Sequence, residues 1–308
     1  MYLDSLIKSE CCGCGACVQA CAIGCISMEK DDEGFLFPVI RKEQCVNCEK
    51  CKTVCPMDKK PEGTITTAWA GIHKNKNTAE KSASGGAFFA IAEKLVENGY
   101  AFFGACWDEN NSVIIDSAGT LEECERFRKS KYLQADTNGC FKRVKELLDS
   151  GKKVVFSGLP CQVAALKTFL GGDNDNLLCV DIICHGVPNQ EMFDCEISYL
   201  ENKYSDKVLT YEFRNKRKIK GEINSRSCCI TFKSGKEILC AIDDDPYLKA
   251  YYTKLIYRIS CGRCPFAQEK RYGDITLGDA WNVEQIYSDF NPVEGVSLVL
   301  TSTKKVRK

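Results

Sequence analysis

At 308 residues the chain exceeds one ordinary hydrophobic core, and its 42 Lys+Arg against 42 Asp+Glu give a formal net charge of zero. That balance removes the electrostatic reason to expect nucleic acid or an anionic membrane surface as partner, and no apolar stretch approaches the ~18 residues of a membrane span. The 22 cysteines are the outlier. With no signal-like apolar core in residues 1–10 the chain is expected in the cytoplasm, where reducing conditions favour metal or redox use of thiols over a disulfide scaffold.

Ten of these cysteines fall in residues 11–55, in two runs: Cys11-x2-Cys14-x2-Cys17-x3-Cys21 and Cys45-x2-Cys48-x2-Cys51-x3-Cys55-Pro56. Two such runs are the ligand pattern of two 4Fe-4S clusters, whereas zinc sites use two pairs separated by a longer span. The fourth cysteine of each run reaches across to the other cluster in this arrangement. One cluster is therefore expected on Cys11, Cys14, Cys17 and Cys55, and the other on Cys45, Cys48, Cys51 and Cys21. Gly13 and Gly15 suit the tightly turned backbone around a cluster. Ala22 stands where the first run normally has proline, which removes only some turn rigidity. Cys12 and Cys25 occupy non-ligand positions and read as small packed thiols. Short strands are expected at 26–29 and 35–39, about the Asp31-Asp32-Glu33-Gly34 turn. Residues 1–60 thus read as an α+β ferredoxin-like domain, similar to bacterial two-cluster ferredoxins, followed by a polar linker at 61–67.

From residue 68 strands are expected at 68–72, 101–106, 113–115, 154–157 and 177–183, alternating with helices at 85–98, 140–150 and 162–170. This alternation predicts an α/β domain over 68–308. After a helix at 190–203, strands at 208–214, 228–233 and 237–241, the last two joined by Ser234-Gly235-Lys236, predict an inserted antiparallel section. A last strand at 296–301 is followed by only seven residues, and a further C-terminal portion is expected beyond Lys308.

Four features of the body carry possible chemistry. Ser82-Ala83-Ser84-Gly85-Gly86-Ala87 precedes a helix and reads either as an anion site at its N-terminus or as an ordinary cap with a tight entry turn. Ser157-Gly158-Leu159-Pro160-Cys161-Gln162 joins a strand to a helix, at the sheet edge where α/β proteins place ligands. Cys161 there reads as a nucleophile if His185 reaches it, or as a metal ligand. Cys184-His185-Gly186 follows a strand, and Cys261-x2-Cys264-Pro265 lies in a turn. Together Cys161, Cys184, Cys261 and Cys264 make a complete ligand set for a third 4Fe-4S cluster, with His185 a hydrogen-bond donor rather than a ligand. Cys106, Cys124, Cys140, Cys179, Cys195, Cys228, Cys229 and Cys240 read as core or surface thiols.

Taken in order, Ser84-Gly85-Gly86, Ser130-Lys131-Tyr132, Ser157 to Gln162, Cys184-His185-Gly186, Cys261-Gly262-Arg263-Cys264 and Gly273-Asp274-Ile275-Thr276-Leu277-Gly278-Asp279-Ala280-Trp281 resemble the family of coenzyme F420 hydrogenase/dehydrogenase beta subunits over about residues 68–300. The resemblance implies FAD and an iron-sulfur cluster in the body, the cluster on Cys161, Cys184, Cys261 and Cys264. It implies that Ser84, Gly85 and Gly86, with Ser130, Lys131 and Tyr132, lie against the flavin, and that Asp279 and Trp281 help line the site. The expected function is a flavin-dependent oxidoreductase, or the electron-transfer subunit of one. Such a protein works with a redox partner or another subunit and on a small-molecule substrate, deazaflavin-like or other. The alternatives are a ferredoxin-type carrier with no substrate of its own and a zinc-bound interaction protein.

Overall fold

The computed structural model describes residues 1–61, 63–219, 222–223, 227–290 and 295–307. Glu62 of the 61–67 stretch and Lys308, beyond which a further portion was expected, lie outside the described residues. The first part comprises α1 (Tyr2–Ser5), α2 (Ala16–Ala20), β1 (Ile26–Lys30), β2 (Leu36–Ile40) and α3 (Lys50–Thr53). The two strands form an antiparallel hairpin in which Ile26 faces Ile40. Its turn is fixed by Asp31, whose Oδ1 accepts the Phe35 and Glu33 amides at 2.8 and 3.1 Å, the Asx-type closure that explains why an acidic turn forms here.

Both cysteine runs carry the same backbone. Gly13 and Gly15 in the first, and Asn47 and Glu49 in the second, all have φ between 52° and 69°. Each run then enters a one-turn helix, α2 or α3.

The body follows as β3 (Thr67–Gly71), α4 (Lys76–Glu80), α5 (Ala87–Glu97), β4 (Ala101–Trp107), β5 (Val113–Ala118), α6 (Leu121–Cys124), α7 (Cys140–Asp149), β6 (Val154–Ser157), α8 (Pro160–Leu170), β7 (Leu177–Ile182) and α9 (Gln190–Tyr204). Next come β8 (Val208–Asn215), β9 (Lys218–Ile219), β10 (Glu222–Ile223), β11 (Ser227–Phe232), β12 (Glu237–Ala241), α10 (Pro246–Tyr252), β13 (Ile275–Asp279) and β14 (Ser297–Thr301). The fold is mixed α/β, built on a seven-stranded sheet in the order β3-β14-β13-β7-β6-β4-β5. Strands β13, β7, β6 and β4 are mutually parallel, and antiparallel strands close both flanks. Strand β6 is apolar throughout its buried length, with Val154, Val155 and Phe156 fully enclosed, as a parallel strand covered on both faces requires. The inserted section is a separate antiparallel sheet, β12-β11-β8.

The strand β13 was not anticipated, because its surroundings alternate small and polar residues. Its polar groups are consumed internally. Buried Asp274 accepts the Cys179 amide at 2.7 Å and the Thr303 hydroxyl at 2.7 Å. Buried Asp181 on β7 accepts the Thr276 hydroxyl and the Gly273 amide and pairs with Arg271 at 3.3 Å. Gly273 has no room for a side chain, since a Cβ would lie 2.8 Å from the Asp181 carboxyl carbon. The motif at 273–281 is thus in large part a device for docking β13 on β7.

The first part is bonded to the body through polar groups. Gln134 donates to Cys12 O at 2.8 Å, Thr137 to Cys14 O at 3.1 Å and Thr168 to Val54 O at 2.8 Å. Residues of the 61–67 stretch also run along the body: the Thr66 amide donates to Thr301 O at 2.8 Å. Among the described residues no helix is long and apolar enough to cross a membrane.

Candidate cofactor sites

Cys11, Cys14, Cys17 and Cys55 line one cavity, beside Met28 and Pro38 of the hairpin. Burial pushes the Cys11, Cys17 and Cys55 thiols up, Cys55 to about 11, and the neighbouring sulfurs of the same set push the same way. Thiols this enclosed and this close cannot all ionise unless a cationic centre neutralises them, which is what a metal supplies. The donor set and the cavity therefore fit a cluster. The Arg258 guanidinium opposes the burial effect at Cys11.

Arg258 was not singled out by its sequence context. Only 1% exposed, it reaches from the body to donate to Cys11 O at 2.9 Å, Leu36 O at 2.5 Å and Gln134 Oε1 at 3.2 Å. It also lies over the Phe37 ring at 4.4 Å. A Cβ on Gly13 would meet its guanidinium carbon at 2.8 Å.

The other four cysteines of the runs lie nearer the surface. Cys51 is pushed up by burial and then by Cys45 and Cys48. Cys48 is exposed, and Cys21, Cys45 and Cys51 are half-buried. Cys25, read as a spare thiol, sits between Cys21 and Cys45: its sulfur is 3.4 Å from that of Cys21, and both neighbours raise it, to about 11.

The body brings its own four cysteines together. Cys161 opens α8 after the β6 loop, Cys184 follows β7, and Cys261 and Cys264 belong to the turn anchored by a 2.8 Å bond from the Cys261 amide to Arg258 O. Burial raises Cys184 to about 12, with Cys261 and Cys264 adding to it. A hydrogen bond from Cys12 pulls Cys161 down, but burial and the Cys184, Cys14 and Cys264 sulfurs outweigh it, so the net shift is upward. A raised thiol among sulfurs is a poor nucleophile, and His185 is exposed; the nucleophile reading therefore has no support in the geometry. Cys12 is buried close enough to both Cys14 and Cys161 for each to shift with it, so this thiol neighbours a ligand candidate on each side of the join.

The residues assigned to flavin fall along one rim. Tyr132 stacks on Tyr251 with centroids 4.5 Å apart and planes 5° apart, and Tyr251 meets Tyr257 at 5.0 Å. Both of those tyrosines lie close enough to Cys184 to feel its charge. Beside Tyr132 the half-buried Arg214 and Asp279 pair at 2.7 Å. Lys216 donates to Ala79 O at 2.8 Å and Ser84 O at 2.6 Å. Lys131 donates to Arg126 O and Arg128 O at 3.1 and 2.9 Å, and burial lowers it to about 8. Ser130 is half-buried beside it, and Trp281 is 55% exposed. Cations and stacked rings suit an anionic aromatic ligand. The Ser84-Gly85-Gly86 turn is explained largely by packing. Ser84 Oγ donates to Val296 O at 2.9 Å, and a Cβ on Gly85 would come within 2.2 Å of Gly71 O.

Comparison with known proteins matches residues 151–308 to the C terminus of the coenzyme F420 hydrogenase/dehydrogenase, beta subunit. The chain belongs to this family. Residues 10–59 match a 4Fe-4S dicluster domain, so an iron-sulfur electron-transfer role comes with membership. The F subunit of the F(420)H(2) dehydrogenase from Methanosarcina mazei is 25% identical over 201 residues, 58% of this chain and 55% of that protein. The chain thus spans about half the length of that family relative. Ferredoxin-3 of a Nostoc species is 28% identical over 69 residues, 18% of this chain and 71% of that protein. A chain of the F420-reducing [NiFe] hydrogenase complex from Methanosarcina barkeri shares the fold, with a TM-score of 0.53 over 80% of this chain and 77% of that one, at 17% identity.

Proposed function

We propose that the chain is an iron-sulfur flavoprotein oxidoreductase subunit that carries electrons between a redox partner and a small-molecule substrate. The observation that carries this reading is the position of Cys12, buried beside both Cys14 of the inner set and Cys161 of the body set, which brings those two sets next to each other. In this reading residues 1–60 are a ferredoxin-like relay, 61–67 a linker and 68–308 the cofactor-binding body. Cys45, Cys48, Cys51 and Cys21 hold the outer cluster, Cys11, Cys14, Cys17 and Cys55 the inner one, and Cys161, Cys184, Cys261 and Cys264 the third.

The chain's residues then have separate tasks. Arg258 donates to the inner loop and holds a positive charge near Cys11. Tyr257, Tyr251 and Tyr132 exclude water between Cys184 and the rim. FAD would be held by Tyr132 and Lys131, with the turn at Ser84 to Gly86 and Ser130 at its edge. A flavin, when bound, couples one-electron carriers to two-electron chemistry. The relatives' names make a deazaflavin the first substrate to test. Balanced charge and the absence of a spanning helix among the described residues favour a soluble, cytoplasmic protein that binds neither nucleic acid nor membrane.

Anaerobic purification with iron, sulfide and flavin assays tests the scheme. About twelve irons and one flavin per chain are expected, on three four-iron clusters. About eight irons without flavin would reduce the protein to an electron carrier, a reading favoured by one observation, that Ser84 and Gly85 are already accounted for by packing. A chain holding zinc and no iron overturns the scheme.

A further inference from the structure

We propose that Cys228, Cys240 and Asp245 hold one zinc-class divalent cation, with the Glu196 carboxylate beside them, locking the antiparallel sheet β12-β11-β8 to helices α9 and α10. It lies apart from the three cysteine sets, and the two thiols were read from sequence as unremarkable packing.

The geometry is nearly that of the bound state. Cys228 and Cys240 stand directly opposite each other on β11 and β12. Their sulfurs are 3.0 Å apart, and Cys228 Sγ is 3.6 Å from Asp245 Oδ2. All three ligand atoms lie within 4.8 Å of one another. A tetrahedral zinc with bonds of about 2.3 Å to sulfur and 2.0 Å to oxygen separates two sulfurs by ~3.8 Å and a sulfur from an oxygen by ~3.5 Å. The sulfur–oxygen spacing already fits; the sulfurs need to part by less than about 1 Å. Two thiolates with carboxylates select zinc over magnesium or calcium, which take oxygen only.

A second observation points the same way. Glu196 on α9 is 6% exposed, and its Oε1 is buried with no hydrogen-bond partner. Its carboxylate is close enough to Asp245 and Cys240 to interact electrostatically with both, while lying outside the 4.8 Å grouping of the other three. Among the described residues neither Asp245 nor Glu196 has an ion pair with a lysine or arginine. Leaving a buried carboxylate oxygen unpaired is costly, and a cation removes that cost. Asp245 is held in place as metal-bound carboxylates are: Oδ1 accepts the Leu248 amide at 2.8 Å, and Tyr211 donates its hydroxyl to Oδ2 at 2.5 Å.

The test uses the full chain, purified anaerobically with its iron complement, then incubated with zinc and desalted. One zinc per chain is expected in addition to the iron. Cys228→Ser/Cys240→Ser should lose that zinc with iron unchanged. Should the double variant fail to fold, Glu196→Gln keeps both thiols and the side-chain volume and should weaken zinc binding by about tenfold or more, as loss of a metal-site carboxylate does. No zinc in the iron-replete chain, zinc retained by the double variant, unchanged affinity in Glu196→Gln, or a Cys228–Cys240 disulfide in anaerobically quenched protein each overturns the proposal. The iron and flavin counts are read on the same samples, so failure here leaves the redox reading standing.

Discussion

The two cysteine runs share a backbone but differ in the residues that adopt it. In the second run Asn47 and Glu49 occupy left-handed conformations at φ 52° and 57°; in the first, glycines do so at 68° and 69°. The conformation therefore does not itself demand glycine. What differs is the surroundings: Asn47 and Glu49 are exposed, whereas a Cβ at Gly13 would strike Arg258 at 2.8 Å and one at Gly15 would press on Thr137 at 3.0 Å. The glycines of the first run are there because the body docks on it. The same contrast separates an outer set, where Cys48 meets solvent, from an inner one enclosed by both parts of the chain.

The severest way to break this asymmetry is Arg258→Met. Three half-buried oxygens lose their donor at once, Cys11 O, Leu36 O and Gln134 Oε1, at a cost on the order of 3–5 kcal/mol. Urea unfolding should show it, and a loss under ~1 kcal/mol would mean the docking contact is dispensable. Next, Cys161→Ser should remove about four irons and leave the other eight, on one cluster lost of three. Unchanged iron would take Cys161 out of the ligand set. Gly13→Ala should destabilise by about 2 kcal/mol or more, through strain and the clash with Arg258. Its mirror in the outer run, Glu49→Gly, should stabilise by up to ~1 kcal/mol, because no neighbour crowds it and the left-handed penalty is relieved. Equal effects at the two positions would refute the docking explanation. The smallest effect concerns the rim. Burial lowers Lys131 to about 8, so it is charged below that pH and neutral above it. FAD affinity should fall as pH rises through about 8, and Lys131→Met should flatten that fall. A titration with the same slope in both proteins would remove Lys131 from the flavin site.

Much of the fold was legible because it obeys short-range rules. Apolar runs bounded by turns placed β6, β7 and the α5 and α8 helices to within two residues, and Asp31 with Gly34 announced the hairpin. Strand β13 was hidden because its stability comes from Asp181, Asp274 and Thr276 bonding across strands, which no hydrophobic period reveals. The cysteine spacings announced the ligand candidates, since the chemistry fixes both residue type and interval. Nothing local marked Arg258, whose side-chain hydrogen-bond partners lie more than a hundred residues away, or the position of Cys12 between two sets. Glu196 likewise comes near Asp245 only after α9 and α10 have packed. Ser84 and Gly85 keep both of their sequence readings open: a pattern that reads as a ligand loop is also the pattern of a tight packing turn.

Arg258 also sets an order of events during biosynthesis. The inner loop at Cys11 leaves the ribosome first, and the arginine that donates to its carbonyl lies 247 residues later in the chain. Chains fold from the N-terminus as they emerge, so residues 11–55 are assembled, and open to metal delivery, before the part that seals them has been made. The body closes over the inner set last, while Cys48 stays open to solvent throughout. A cluster bound for the inner site is reached most easily before Arg258 and its surroundings fold against it, whereas the outer site keeps its opening.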